Sequence, residues 1–313
     1  LQELNTQHPL LGLGKLCGLF GKSRQAYYEQ LWQQDKKQVK QMALVKEVIK
    51  LRAQLPGVGT EKLHHLLTNF LAEHEIKLGR DKLYDLLREH HLLRSKRRKR
   101  AKTTNSQHSF YKYVNLVKEF TATQPNQVWV SDITYIRTGR DFSYLSLITD
   151  AYSHKIMGWA LDTTLQTKGP LAALQMAIKT LPKGKESLIH HSDRGIQYCC
   201  KEYIELLCSK EIRISMTNQG DPGENAIAER INGILKDEFN CRAFISFDLA
   251  KAAITKSILA YNQLRPPASC DYLTPNQAHR KEGTLKKRWR KYKRKNPINQ
   301  ELLIEKLNRI FTV

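Results

Sequence analysis

The stretch Val128-Trp129-Val130-Ser131-Asp132-Ile133-Thr134-Tyr135-Ile136-Arg137 decides how this chain is read. Its residues are mostly β-branched and aromatic, as in a strand, and a single carboxylate stands in the middle. Thr138-Gly139-Arg140-Asp141 follows as a hairpin turn, Phe142 to Asp150 returns, and Lys155 to Leu161 supplies a third strand. The pattern then predicts a helix over 168–181, a strand from Leu188 to Asp193 and a helix from Tyr198 to Lys210. A short strand from Ile212 to Thr217 and a helix from Asn225 to Phe239 complete it. Three antiparallel strands followed by alternating helix and strand make an α/β unit with a mixed sheet.

This is the element order of the ribonuclease-H-like fold, and three carboxylates stand out on it. Asp132 is costly inside an apolar strand unless it is paired or binds a metal. Asp193 ends a strand at His190-His191-Ser192-Asp193-Arg194-Gly195, where a glycine turn exposes the side chain at the strand's carboxyl edge. Glu229 lies on a helix whose apolar stripe is Ile227, Ile231, Leu235 and Phe239, while Asn225, Glu229, Asn232 and Lys236 share the polar face. Each acid alone has a plainer reading: a buried ion pair, a turn former and a solvent-facing helix residue, in that order.

Charge sets the context. The 313 residues carry a formal net charge of +22, divided very unevenly. Residues 1–120 hold 23 basic and 11 acidic side chains, residues 121–275 hold 17 and 16, and residues 276–313 hold 12 and 3. A neutral middle between two basic flanks is the footprint of a polyanion binder, since each neutralised phosphate releases counterions. No window approaches the ~20 consecutive apolar residues of a membrane span. The six cysteines form no CxxC pair, so a reducing, cytoplasmic location is expected rather than a disulfide or zinc framework.

Both flanks read as DNA-binding segments. Leu13 to Phe20 is a short helix, Gly21 turns, and Ser23 caps a second helix that starts with Arg24 and Gln25, on the plan of a helix-turn-helix. Val39, Ala43, Val45, Ile49 and Leu51 mark a further helix, stopped by Pro56-Gly57. Thr60 is expected to cap the next, carrying Leu63, Leu66, Leu67, Phe70 and Leu71. A third, opening with Arg80 and Lys82, completes a trihelical unit. Arg94 to Lys102, including Arg97, Arg98 and Arg100, is a cationic run with no apolar stripe. Lys286 to Lys295, with Lys287, Arg288 and Arg290, repeats the theme around Trp289 and Tyr292. The expected domains are a helix-turn-helix-like segment (1–36), a trihelical DNA-binding domain (37–93), a basic linker (94–122), the ribonuclease-H-like catalytic domain (123–275) and a basic tail (276–313).

The middle region resembles the DDE transposases and integrases, and most closely the insertion-sequence transposases of the IS-three family. The likeness rests on Trp129 to Tyr135, His191-Ser192-Asp193-Arg194-Gly195-Ile196-Gln197-Tyr198 and Ser215-Met216-Thr217-Asn218-Gln219-Gly220. It continues through Glu224-Asn225-Ala226-Ile227-Ala228-Glu229-Arg230, Leu235-Lys236, Tyr261-Asn262-Gln263-Leu264-Arg265-Pro266 and Thr274-Pro275. Thirty-five residues separate Asp193 from Glu229, the family's own spacing. The match runs from about residue 10 to 280 and departs in places: Glu224 stands where Asp is common, Arg230-Ile231 replaces Ser-Phe, and Pro267 replaces His.

The resemblance implies that Asp132, Asp193 and Glu229 ligate two Mg²⁺ ions, with Mn²⁺ expected to substitute. It implies that Lys236 contacts DNA near the scissile phosphate and that Asn225 supports the site or the DNA. His190 and His191 are expected to pack behind the site rather than bind metal. The implied partners are double-stranded DNA, at the element's terminal repeats and at a target, a second copy of the chain on paired ends, and the family's first-frame product, separate or fused. No membrane partner is expected, and the implied location is the bacterial cytoplasm, at the nucleoid. Because the sequence begins at Leu1, a trimmed or frameshift-derived piece is expected. Two rivals stand beside strand transfer: a ribonuclease-H-like nuclease that does not join strands, and a non-catalytic DNA-binding repressor.

Overall fold

A computed structural model describes residues 2–94, 111–182, 187–218 and 223–288. A helical region comes first, with α1 (Gln2–Gln7), α2 (Gly12–Leu19), α3 (Arg24–Gln54), α4 (Thr60–Leu66), α5 (Thr68–Glu73) and α6 (Arg80–Glu89). Ser23 caps α3 as expected, its hydroxyl accepting from the Ala26 N–H at 3.0 Å. Three expectations for this region need correction. Helix α3 runs unbroken through residues 36 and 37, so the two N-terminal units share one helix. Its buried face is Leu44 and Val48, whereas Val39 and Ile49 of the expected stripe point outward. The cap position of α4 belongs to Gly59 rather than Thr60, and the single helix expected there is split at Leu67 into α4 and α5.

The α/β unit comprises β1 (Val128–Thr138), β2 (Asp141–Asp150), β3 (Ile156–Asp162), α7 (Lys168–Ile178), β4 (Ile189–Ser192), α8 (Ile196–Cys199) and α9 (Lys201–Cys208). After it come β5 (Arg213–Met216), α10 (Ala226–Glu238), β6 (Ala243–Phe244), α11 (Phe247–Leu264) and α12 (Pro275–Ala278). The sheet order is β3-β2-β1-β4-β5, antiparallel through the first three strands and parallel from β1 to β5. This is the ribonuclease-H-like mixed sheet that the sequence predicts. The hairpin closes at the Thr138–Asp141 pair, and Gly139 takes a φ of +62° that its missing side chain makes cheap. The helix expected from Tyr198 to Lys210 is two helices, because Cys200 is extended (φ −73°, ψ 154°) between α8 and α9.

Strand alternation divides the core. Trp129 and Ile133 face α7 and α9 among Ala173, Leu174, Tyr203 and Leu207. Val130 and Ile136 face the other way, toward Ala228, Ile231 and Leu235 of α10 and Ile254 of α11. Helix α11 is an element the sequence reading missed, though Ala250, Ile254, Ile258 and Tyr261 bury one side of it at helical spacing.

Helix α11 also explains the Tyr261–Arg265 motif. The Tyr261 hydroxyl donates to the His154 carbonyl at 2.9 Å, and Asn262 pairs with both the N–H and the carbonyl of Ile156 at 3.0 Å. Asn262 thereby extends the edge of β3 by one amide. Arg265 grips Glu238 at the end of α10 with two hydrogen bonds of 2.8 and 3.0 Å, both side chains buried. The helical region docks at the same point, where the Gly57 N–H donates to the Glu238 carbonyl at 2.7 Å and Arg94 lies 3.7 Å from its carboxylate. Burial, aided by the nearby Arg265, brings the Lys62 ammonium down to about 8.

Contacts also cross the expected domain limits at 122 and 275. Leu116 donates its N–H to Ser215 Oγ at 2.9 Å, so the last part of the linker already lies on the core. Helix α12 straddles the boundary at 275, His279 bonds Ser153 at 2.9 Å, and the Arg288 N–H reaches the Ala268 carbonyl at 2.8 Å. Among the described residues no helix is long and apolar enough to cross a membrane.

Sheet and helix approach closely at Gly158, where a Cβ would sit 2.0 Å from the Ala173 carbonyl and 2.8 Å from the Ala177 nitrogen. Gly158→Ala must push α7 off β3, and urea unfolding should show a loss of about 3 kcal/mol or more. A variant as stable as the parent would contradict this packing.

Candidate active site

The site forms where β1 loses its neighbour. On its β4 side, β1 pairs with Ile189 to His191 through residues 128–130, and with β6 only at Arg137 and Thr138. Among the described residues no strand pairs with that side between those two stretches, and α10 lies across the gap. Asn225, just ahead of α10, donates Nδ2–H to the Ser131 carbonyl at 2.9 Å. Asn232, two turns further on, donates Nδ2–H to Asp132 Oδ2 at 2.7 Å. Both asparagines are buried, so this part of the helix's polar face is an attachment to the sheet. Asn232 is the functional residue that the sequence reading left unassigned. Its position, three residues beyond Glu229 on the same helix, is the signal that points to it.

Asp132 is half-buried on the face shared with Val130 and Ile136, between two apolar clusters. Its other oxygen accepts from the Ile133 N–H at 2.9 Å. Burial and then the charge of Asp193 raise its carboxyl to about 7, against the pull of the Asn232 and Ile133 hydrogen bonds, and Glu229 adds a smaller push. Asp193 follows β4 directly and accepts from the Gly195 N–H at 3.1 Å. Glu229 lies in the exposed first turn of α10 and is the outlying member of the three. Among the described residues no three His, Cys, Asp or Glu side chains close into a ready metal cluster.

The donor set is nonetheless that of a hard cation. It consists of carboxylate oxygens, and the buried Asn225 Oδ1 and Asn232 Oδ1 beside them have no hydrogen-bond partner among the described residues. His190 does not join it. His190 Nε2 meets Ser131 Oγ at 2.7 Å and the Tyr203 hydroxyl at 2.9 Å, and burial, reinforced by His191, holds the ring down at about 3. His191 Nδ1 meets Ser215 Oγ at 2.9 Å, and burial lowers it to about 4. Burial favours the neutral form of both rings, and His191 Nε2 has no hydrogen-bond partner among the described residues.

The remaining expected residues spread over the molecule. Lys236 is half-buried in the last turn of α10. Arg24 and Gln25 are exposed in the first turn of α3, with Gln25 donating to Glu29 at 3.2 Å. Arg80 and Lys82 are exposed at the start of α6, where Arg80 pairs with Asp81 at 2.9 Å. Lys287 is exposed, and Arg288 pairs with Asp271. Arg97, Arg98 and Arg100 of the linker, and Arg290 of the tail, lie outside the described residues.

Comparison with known proteins agrees with this architecture. Residues 122–222 match an integrase core domain, and residues 210–275 match a second integrase core domain model. The uncharacterized 31 kDa protein of insertion element IS600 from Shigella sonnei is 33% identical over 265 residues, covering 83% of this chain and 96% of that protein. Transposase InsF of insertion sequence IS3A from Escherichia coli is 34% identical over 168 residues, 53% of this chain and 58% of that one. Among solved structures, the HTLV-2 integrase catalytic core domain in complex with magnesium aligns with a TM-score of 0.42 at 24% identity, covering 51% of this chain and 99% of that one.

The raised Asp132 carboxyl has a consequence for stability. In the unfolded chain it ionises near 4, whereas the fold keeps its proton to about 7, so stability is lost as pH rises through that interval. Asp132→Asn removes the ionisation, and without divalent metal it should melt about 2–5 °C above the parent at pH 8. The gain should vanish by pH 4. Equal melting temperatures at both pH values would contradict the assignment.

Proposed function

This chain belongs to the insertion-sequence transposases with an integrase core, and on that premise we propose that it cuts DNA at an element's terminal repeats and joins the freed 3′ end elsewhere. Membership makes it a DDE polynucleotidyl transferase. In the first step water attacks the phosphodiester, and the P–O3′ bond breaks to leave a 3′-hydroxyl and a 5′-phosphate. In the second, that 3′-hydroxyl attacks a target phosphodiester, forming one P–O bond as the target's own P–O3′ bond breaks. No protein nucleophile takes part, so the chain's work is positioning and charge.

The observation that carries this reading is Asp132, held by Asn232 and pushed toward the neutral form first by burial, then by Asp193 and least by Glu229. A bound cation would offset that repulsion and let the carboxylates ionise together at lower pH. Asp132, Asp193 and Glu229 would hold two Mg²⁺, or Mn²⁺ with the same oxygen donors, which supply Lewis-acid stabilisation of the attacking and leaving oxygens. Asn225 and Asn232 fix the strand beneath, and Lys236, two turns along α10 from Glu229, offers its ammonium to a phosphate beside the cut.

The flanks hold the DNA. Arg24 and Gln25 on α3, and Arg80 and Lys82 on α6, open helices whose first turns are exposed and suited to base edges. Arg97, Arg98 and Arg100, with Lys287, Arg288 and Arg290, provide phosphate contacts of low sequence preference. The protein acts on paired ends as an oligomer in the bacterial cytoplasm, at the nucleoid, together with the first-frame product.

The test is to incubate the purified chain with a labelled duplex carrying the DNA that flanks its gene, plus Mg²⁺ and a target plasmid. Covalent joining of the labelled 3′ end is expected. Asp132→Asn, Asp193→Asn and Glu229→Gln should each lower joining by about 10³-fold or more while still binding the duplex. Cutting without joining would favour a simple nuclease, and binding without either would favour a repressor. A triad variant that joins as well as the parent would overturn the site.

A further inference from the structure

Helix α3 carries a row of large apolar side chains that nothing in the chain covers among the described residues. Tyr28, Trp32, Val39, Met42 and Ile49 are 46%, 64%, 67%, 62% and 53% exposed. None of residues 24–40 is buried, and the two buried residues of the helix, Leu44 and Val48, lie in its second half. Single exposed apolar residues are ordinary, but these are not scattered. Positions 25, 28, 32, 35, 39, 42, 46, 49 and 53 follow one another at alternating steps of three and four, which is a heptad seam. Every one of them is exposed.

The seam contains two charged residues, and they identify its partner. Asp35 and Lys46 are the only charges among those nine positions. In a parallel pair of identical helices, aspartate would face aspartate and lysine would face lysine across the seam. In an antiparallel pair with its two-fold axis between residues 40 and 41, Asp35 meets Lys46 of the second copy, and the reverse pair forms by symmetry. The same axis sets Val39 against Met42, Trp32 against Ile49 and Tyr28 against Ala53, so every other layer from 28 to 53 is apolar on both sides. Glu29 and Lys50 flank the seam on facing positions, although Lys50 lies 3.5 Å from Glu47 in its own helix.

We propose that residues 28–53 of α3 form an antiparallel two-stranded coiled coil with the same helix of a second copy of this chain. The contact spans about 38 Å of helix. Its polar Asp35–Lys46 layers fix register and direction, while the apolar layers supply the burial. The inference rests on the seam alone and stands whether or not the chain joins DNA.

Sedimentation equilibrium of the full chain, with the melting curve checked for each variant, tests it. The parent should be a dimer. Asp35→Lys and Lys46→Asp, each of which sets like charges against each other, should weaken the dimer by at least about tenfold. The double variant Asp35→Lys/Lys46→Asp should return to within about threefold of the parent, since the pair is merely exchanged. A parent that is monomeric at about 100 μM would overturn the proposal, as would single variants that dimerise like the parent. A double variant no tighter than the singles would overturn the antiparallel register. Loss of the dimer in Trp32→Glu, with the helical melt intact, would place the contact on this face, and an unchanged dimer there would remove it.

Discussion

Two asparagine side chains fasten helix α10 to the open side of β1, and the chemistry of the molecule depends on that attachment. Asn225 holds the Ser131 carbonyl and Asn232 holds the Asp132 carboxylate, seven residues apart on one face of the helix. Neither strand β4 nor strand β6 satisfies that stretch of β1, so its edge is free to receive a helix. The attachment brings the first turn of α10, with Glu229, toward an aspartate that would otherwise be an unsupported charge in an apolar sheet. At its other end, Glu238 ties the same helix to Arg265 and to the backbone of Gly57. A single helix thus touches the strand chemistry, the α11 motif and the helical region.

The α/β fold and its carboxylates were legible in the sequence because their signals are local. Strand composition, a glycine hairpin and alternation place β1 to β5 with errors of a few residues, and the three acids stand out against that background. What escaped detection depends on tertiary contact. Asn225, Glu229, Asn232 and Lys236 read only as one polar face of α10, since all four are hydrophilic. Only the position of β1 shows that the two asparagines are buried while Glu229 is exposed. Helix α11 differs in this respect: Ala250, Ile254, Ile258 and Tyr261 stand at helical spacing, so its signal is local too.

The helical region shows the same limit. Pro56-Gly57 ends α3 as expected, yet nothing local distinguishes one 31-residue helix from two shorter ones. The stripe read from Val39 to Leu51 mixed two faces, one resting on the domain through Leu44 and Val48 and one turned to solvent. Periodicity alone reports that a helix is amphipathic and not which partner its stripe belongs to. Charge gave a different kind of signal, since it separates two basic flanks from a neutral centre. The limits drawn from it still shifted, because residues 276–288 pack on the core.

The central claim is that Asp132, Asp193 and Glu229 form one metal-dependent centre on the α10–β1 attachment. Anomalous diffraction from crystals of the full chain grown with Mn²⁺ tests it most directly, since it locates the ions without relying on turnover. The account predicts anomalous density in contact with Asp132, Asp193 and Glu229, with Asn232 still bonded to Asp132. Ions bound elsewhere, or a ligand set that leaves out Asp132, would contradict it.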